Sequence, residues 1–196
     1  FEPEIHNVQL KLKKFLLWRR KNLNDKNFVI VLSFVIGVLS GLAALIIKKS
    51  VLWVEHFFTS QIADEEHRLF YFALPIIGIS ITVLVVKFVL KEAVGHGIPN
   101  TLYAISKGQA NIKPKRMFSS IITAAITVGF GGSVGLEGPM IGSTSAIGSN
   151  LGQFFKLNYK TKTLLIGCAA AGALAAIFKA PIAAIIFAIE VIMLDL

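Results

Sequence analysis

The sequence predicts an all-α integral membrane protein, and its composition, its uncharged stretches and its glycine placement each indicate this fold class. Of its 196 residues, 55% are hydrophobic and 16% are charged, and the mean hydropathy is +0.71. That composition is too apolar for an ordinary soluble domain. Glycine and proline interrupt the later apolar stretches, so we expect tilted and broken helices that are buried in protein or line a cavity.

The first 26 residues are expected to lie in the cytoplasm. Apolar side chains recur at helical spacing over residues 5–21, and lysines and arginines occupy the other faces. This pattern is typical of an amphipathic helix on a membrane surface, although packing on the protein itself is an open alternative. Seven Lys or Arg residues in 1–26 place the N-terminus inside by the positive-inside rule. Residues 27–196 are then the transmembrane domain.

Two conventional spans open the transmembrane domain. Residues 28–47 carry no charge and are long enough to cross roughly 30 Å of hydrocarbon. The helix is expected to continue, tilted, through Phe58. An acidic loop at 64–66 suits the outside, and residues 69–86 return as the second span, ending at Lys87 and Lys91.

Shorter segments follow, and proline or glycine marks their ends. We expect a short helix at 100–106 after a Gly-His-Gly-Ile-Pro cluster, a helix at 117–128, and a helix that Pro139 opens and that reaches about residue 155. A final pair at 163–178 and 181–194 is broken at 179–181. The uncharged cores of that pair are shorter than the roughly 20 residues a span requires.

The glycine-rich stretch 129–152 holds 8 of the 16 glycines, and its single charged residue is Glu137. An acidic side chain at the centre of a bilayer costs about 2.5 to 3.5 kcal/mol on insertion scales, so such residues are functional by default. A hydrogen-bonded glutamate that only fastens the loop is the structural alternative.

Two helix starts are expected to bind anions. A helix that begins inside the membrane presents free N–H groups and a partial positive charge, and the glycines at 95–99 and 135–139 let the backbone approach an ion closely. Neither cluster contains Lys or Arg, which suits transport because conduction needs binding that is favourable but weak. A helix-breaking turn without a ligand is the alternative at 95–99.

Other function classes receive little support. The net charge of +9 is distributed between apolar segments, which favours cytoplasmic loops and lipid headgroups over nucleic acid. No Gly-Lys-Ser/Thr element for nucleotides is present. The four histidines are scattered, so no metal site is expected.

Three motifs follow one another at 95–99 (GHGIP), 135–139 (GLEGP) and 169–190 (AAAGALAAIFKAPIAAIIFAIE). Together they resemble the N-terminal half of the chloride channel and transporter family known as CLC. The resemblance implies a CLC-type inverted-repeat fold, of which this chain holds the first repeat only. It also implies a homodimer in which the second half of each subunit, not present in this chain, completes the anion pathway.

The resemblance assigns roles to particular residues. Glu137 is implied to be the gating glutamate, whose carboxylate competes with chloride. The residues implied to bind the anion are Gly95, His96, Gly97, Ile98 and Pro99 at the central site, and Leu136, Gly138 and Pro139 at the outer one. Chloride is the implied transported ion, no cofactor is expected, and the protein is not expected to be an enzyme. A multi-pass location in a bacterial inner membrane is the expected setting, with membrane lipids as partners.

Three positions depart from the family pattern. His96 stands where most relatives have serine, which predicts a changed anion preference or pH response unless only its backbone matters. Leu136 replaces the usual Arg or Lys beside the glutamate, which weakens the attraction of anions to the outer mouth. Val191 occupies the place of a second, inner glutamate that relays protons in many relatives, although the neighbouring Glu190 is an alternative relay.

Because Val191 cannot titrate, the expected function is passive chloride conduction through a channel modulated by voltage or pH. A chloride/proton antiporter is the alternative. An intramembrane enzyme with Glu137 as a general base is a third reading, but no nucleophile or metal partner accompanies it.

Overall fold

The computed structural model describes residues 25–61, 70–91 and 97–193. The amphipathic helix expected at residues 5–21 lies outside these ranges, as do Gly95 and His96. Every regular element in the described part is a helix, which confirms the predicted fold class. The helices are α1 (Asp25–Gln61), α2 (Phe70–Leu84), α3 (Gly97–Ser106), α4 (Arg116–Gly129), α5 (Glu137–Phe154), α6 (Tyr159–Phe178) and α7 (Pro181–Phe187). Two π-helical segments, Val85–Leu90 and Ala188–Ile192, continue α2 and α7.

Three segments are long and apolar enough to cross a membrane: Asp25–Phe58, Ala73–Leu90 and Tyr159–Phe178. The first belongs to α1, a single helix of 37 residues, so the expected continuation of the first span through Phe58 is confirmed. At about 1.5 Å per residue such a helix is about 55 Å long. It therefore has to tilt or project from a hydrocarbon core roughly 30 Å thick.

Helix α6 is longer than expected. Counting uncharged residues from 163 predicted a segment too short to span, but α6 contains 20 residues because its first turn includes Lys160 and Lys162. The side chain of Asn158 caps this turn by accepting a hydrogen bond of 2.9 Å from the amide of Thr161. The prediction of a short helix is wrong here, because a charged first turn lengthens a helix without lengthening its uncharged run. The break at 179–181 is confirmed, and the apolar helix Pro181–Ile192 beyond it stays short.

Helices α3 and α5 both begin two residues before a proline. The expected starts at Asn100 and Pro139 are wrong, since α3 begins at Gly97 and α5 at Glu137. Proline has no N–H, but amides of the first helical turn have no partner within the helix, so proline is tolerated there. As a result Glu137 is itself the first residue of α5.

Small residues let α6 pack closely on α1. A Cβ added at Gly172 would overlap the hydroxyl of Ser40 and lie 3.1 Å from the carbonyl oxygen of Gly37. The Ser40 hydroxyl donates to that same carbonyl at 2.9 Å, so its polar group is satisfied inside the interface. Close packing of small residues is the usual way in which helices associate in membranes.

Large apolar side chains cover the outside of the described bundle. Phe34 is 74% exposed, Trp53 72% and Ile182 76%. Such surface is unfavourable in water and favourable against lipid or further protein. The interior contains three clusters of buried apolar residues, and the largest of them includes Ile141 of α5 and is packed against by Ile98 of α3.

Candidate functional site

The two predicted helix starts meet in the structure. A Cβ added at Gly97 would overlap the carbonyl oxygen of Gly138, and one added at Gly142 would lie 3.3 Å from the Cα of Gly97. The first turn of α3 is therefore in backbone contact with the first turn of α5. Only glycine at position 97 permits this approach. The N-terminal ends of both helices, each with a partial positive charge, thus lie in one region.

Glu137 lies in the first turn of α5 and is half-buried. Its carboxylate folds back on the preceding loop, because a Cβ added at Gly135 would overlap Oε2 of Glu137. Among the described residues, no hydrogen-bond donor holds this carboxylate. A negative charge at a helix N-terminus is favourable, so the helix start attracts the carboxylate without fastening it.

Phe130, the residue that ends α4, anchors the loop that leads from α4 to Glu137. Its ring centroid lies 4.2 Å from that of Phe58 on α1, and its side chain fills the space that Gly78 leaves on α2. Gly131 follows with a φ of 85°, which L-residues with a Cβ rarely adopt. The chain can therefore reverse immediately after α4 and deliver Glu137 beside α3.

A cavity of about 330 Å³ opens beside the carboxylate. It is lined by side chains from α3, α5, α6 and α7, namely Ile98, Glu137, Ile141, Leu174, Phe178, Ala180, Ala183, Ala184 and Phe187. Among these described residues Glu137 alone is charged. Apolar walls around a single carboxylate strengthen every electrostatic interaction in the space, because little water screens it.

The sequence interpretation missed most of this lining. Leu174, Phe178 and Phe187 belong to the motif at 169–190, which we read only as a family signature. Their spacing on two different helices contains no signal for a shared cavity. The break at 179–181 was the available hint, since it turns α7 back toward α6.

Val191 and Glu190 face different surroundings. Val191 packs against the same buried cluster as Ile98 and Met117, whereas Glu190 is exposed. Ile98 also lines the cavity, so this cluster adjoins both Val191 and the cavity that contains Glu137. Both residues belong to the π-helical segment Ala188–Ile192, a geometry that is frequent at functional sites.

A polar network holds the basic connection between α3 and α4 against α5. The buried Ser149 hydroxyl donates to the carbonyl of Ala110 at 2.6 Å and accepts from the amide of Ile112 at 2.8 Å. The ammonium group of Lys162 on α6 donates to Asn111 Oδ1 at 2.6 Å. This network was not predicted. It fixes the far end of α3 and thereby helps to hold the start of α3 beside α5.

The predicted site residues thus have different outcomes. Gly97, Ile98, Glu137 and Gly138 are brought together, and Leu136 packs nearby against the cluster of Ala44, Ile47, Met140 and Ala173. Pro99 and Pro139 lie in the first turns of the two helices. Gly95 and His96 precede the described start of α3, so their predicted roles stay predictions. Within the described ranges no group of three or more His, Cys, Asp or Glu side chains could hold a metal ion.

Comparison with known proteins identifies the family to which the chain is similar. A family model described as Voltage gated chloride channel matches residues 77–196. Similar curated proteins are named H(+)/Cl(-) exchange transporter ClcA. One from Salmonella arizonae is 30% identical and aligns over 92% of this chain and 40% of its own length. Others from Klebsiella pneumoniae and Vibrio vulnificus are 30% and 31% identical, over 83% of this chain and 36% of their length.

The chain therefore spans about two fifths of the length of the curated relatives that it matches. A search of solved structures finds no significant match.

Proposed function

Since the chain belongs to the voltage gated chloride channel family, we propose that it forms part of a membrane pathway for chloride in which Glu137 is the gate. One observation carries this proposal: the starts of α3 and α5 touch at Gly97 and Gly138, beside the half-buried carboxylate of Glu137. Two partial positive charges meet there next to one movable negative charge. This is the arrangement that a gated anion site requires.

Anion binding at this place follows from the helix ends. Backbone amides and helix dipoles attract an anion without a fixed countercharge, so the ion is held weakly enough to leave. The proposed ligands are the backbone and side chains of 95–99 at the central site and of Leu136, Gly138 and Pro139 at the outer one. His96 is the proposed determinant of anion preference.

In this proposal Glu137 gates the pathway by competing with chloride for the start of α5. The ionised carboxylate of Glu137 and a chloride ion are both attracted to the start of α5, and they repel each other across the low-dielectric cavity. When the carboxyl group is protonated, it loses that attraction and can swing away from the helix start. Acid on the side that Glu137 faces should therefore promote chloride movement.

We propose coupled exchange of chloride for protons as the mechanism. The relatives named as exchange transporters favour it over the passive channel that Val191 led us to expect. The channel remains the second candidate, because Val191 cannot titrate and packs against a cluster of apolar residues. Glu190, directly before Val191, is exposed.

The complete protein is proposed to contain a second half that faces the exposed apolar surface of this one, and to act as a homodimer. The membrane is proposed to be the bacterial inner membrane, with the N-terminus in the cytoplasm.

The test uses the complete transporter in proteoliposomes. A chloride gradient is imposed without a proton gradient, and the internal pH and chloride flux are recorded together. Exchange predicts that protons move uphill as chloride moves down its gradient, and that a protonophore changes the chloride flux. Chloride flux without proton movement would establish the channel instead, and absence of any chloride flux would refute the proposed function.

A further inference from the structure

Lys179 ends α6 in an unusual conformation. Its φ is 53° and its ψ 31°, in the left-handed region, where glycine and asparagine are the common residues at this helix position. The side chain is exposed. Lys91 and Lys156 adopt similar positive φ values just after other helical segments, so what distinguishes Lys179 is its position in the fold.

The position of Lys179 places it at the rim of the cavity. Its two chain neighbours, Phe178 and Ala180, both line the cavity that contains Glu137, whereas Lys179 itself does not. Consecutive Cα atoms are about 3.8 Å apart. Lys179 thus lies at the edge of the cavity between two residues that line it, and its side chain is exposed.

The position of Lys179 affects the electrostatics of the cavity. Among the described residues that line the cavity, the one charged group is the carboxylate of Glu137, which repels an approaching anion. Leu136, directly before it, packs in an apolar cluster and adds no positive charge. A cation at the rim would offset this repulsion, and apolar walls concentrate the field of such a cation in the cavity.

We propose that Lys179 captures small monovalent inorganic anions, chloride among them, and raises their concentration beside Glu137. This inference rests on the proposed function as a chloride pathway. Lysine at a helix C-terminus can also serve a purely structural purpose, by interacting with the last carbonyl groups of the helix. The two roles differ in what they change, since capture alters transport at limiting chloride and capping alters stability.

The experiment measures initial chloride uptake by proteoliposomes of the complete transporter across a range of chloride concentrations. Lys179→Asn removes the charge with a residue that tolerates the left-handed conformation, so folding should not suffer. We expect the half-saturating chloride concentration to rise by about threefold to tenfold. Lys179→Arg, which keeps the charge, should restore values close to those of the wild type.

A matched control is Lys160→Gln, at the opposite end of α6 and also exposed, which should leave half-saturating chloride unchanged. Raising the ionic strength to about 1 M with an impermeant salt shortens the screening length to about 3 Å. The ratio of the half-saturating chloride concentrations of Lys179→Asn and the wild type should then fall toward one.

Unchanged half-saturating chloride in Lys179→Asn, with wild-type flux present, would overturn the inference and leave the proposed function intact. A change that Lys179→Arg does not reverse, or that persists at high ionic strength, would assign Lys179 a structural role. Absence of chloride flux in the wild type would instead defeat the proposed function and this inference together.

Discussion

Replacement of Gly97 by alanine is the most direct test of the helix contact on which the site depends. The added methyl group would overlap the carbonyl oxygen of Gly138 and lie 2.5 Å from its carbon. Both of these atoms belong to the backbone of α5, so no flexible side chain can move aside. The first turns of α3 and α5 must separate.

The size of the effect follows from that distance. An ordinary contact requires about 3.5 to 4.0 Å between carbon atoms, so the two helix starts must move apart by at least about 1 Å. Overpacking of this kind typically costs about 1 to 3 kcal/mol of stability. A misplacement of about 1 Å at a functional site can reduce its rate by about 100-fold. We therefore expect chloride transport to fall at least tenfold.

The assay compares initial chloride flux and thermal stability of the complete transporter with those of a matched control. Gly37→Ala is the control, because a Cβ added at Gly37 meets nothing within 4 Å and alanine favours the helix by roughly 0.5 to 1 kcal/mol. This variant should keep its flux. Wild-type flux in Gly97→Ala would refute the reasoning, since it would mean that the contact of α3 and α5 does not form part of the pathway.

Two further predictions concern the gate and its support. Glu137→Ala should give chloride flux that no longer responds to pH on the side facing Glu137, because the carboxylate that competes with chloride is gone. The flux is measured in proteoliposomes over a pH series. An unchanged pH response would show that Glu137 is not the gate. Ser149→Ala leaves the carbonyl of Ala110 and the amide of Ile112 without their buried partner, so the melting transition should show a loss of about 1 to 3 kcal/mol. The exposed Ser106→Ala should change stability by less than about 0.5 kcal/mol, and equal effects of the two would contradict the role given to Ser149.

Local chemistry predicted several elements well. The uncharged run before Lys48 predicted α1, and the break at Lys179 and Pro181 predicted the separation of α6 from α7, because charge and proline act through nearest neighbours. The same local rules misplaced the starts of α3 and α5. Proline marks the first turn of a helix without stating which residue of that turn it occupies.

The candidate site was also predicted in part from the sequence, while its contacts between distant residues were not. Glu137 was evident because a lone carboxylate in an apolar, glycine-rich run is costly in a membrane, and the glycine clusters indicated that the backbone approaches something closely. The partner of Gly97 could not be predicted, since Gly138 is distant in the sequence and glycine carries no side chain that would specify a contact. The hydrogen bonds of Ser149 were equally inaccessible, because they depend on how a loop of the chain folds back onto α5.

By itself, then, the sequence determined that the protein is a helical membrane protein, that its motifs resemble those of the CLC family, and that Glu137 is the one charged residue of its glycine-rich stretch. These properties belong to single residues and short segments. The sequence is enough to predict them, because the bilayer favours apolar helical segments and disfavours charge wherever in the chain they occur. Only the tertiary structure decided that the starts of α3 and α5 touch, that Leu174, Phe178 and Phe187 enclose one cavity with Glu137, and that Lys179 stands at its rim. Those relations depend on packing between helices far apart in the chain, which is governed by the shapes of both partners at once.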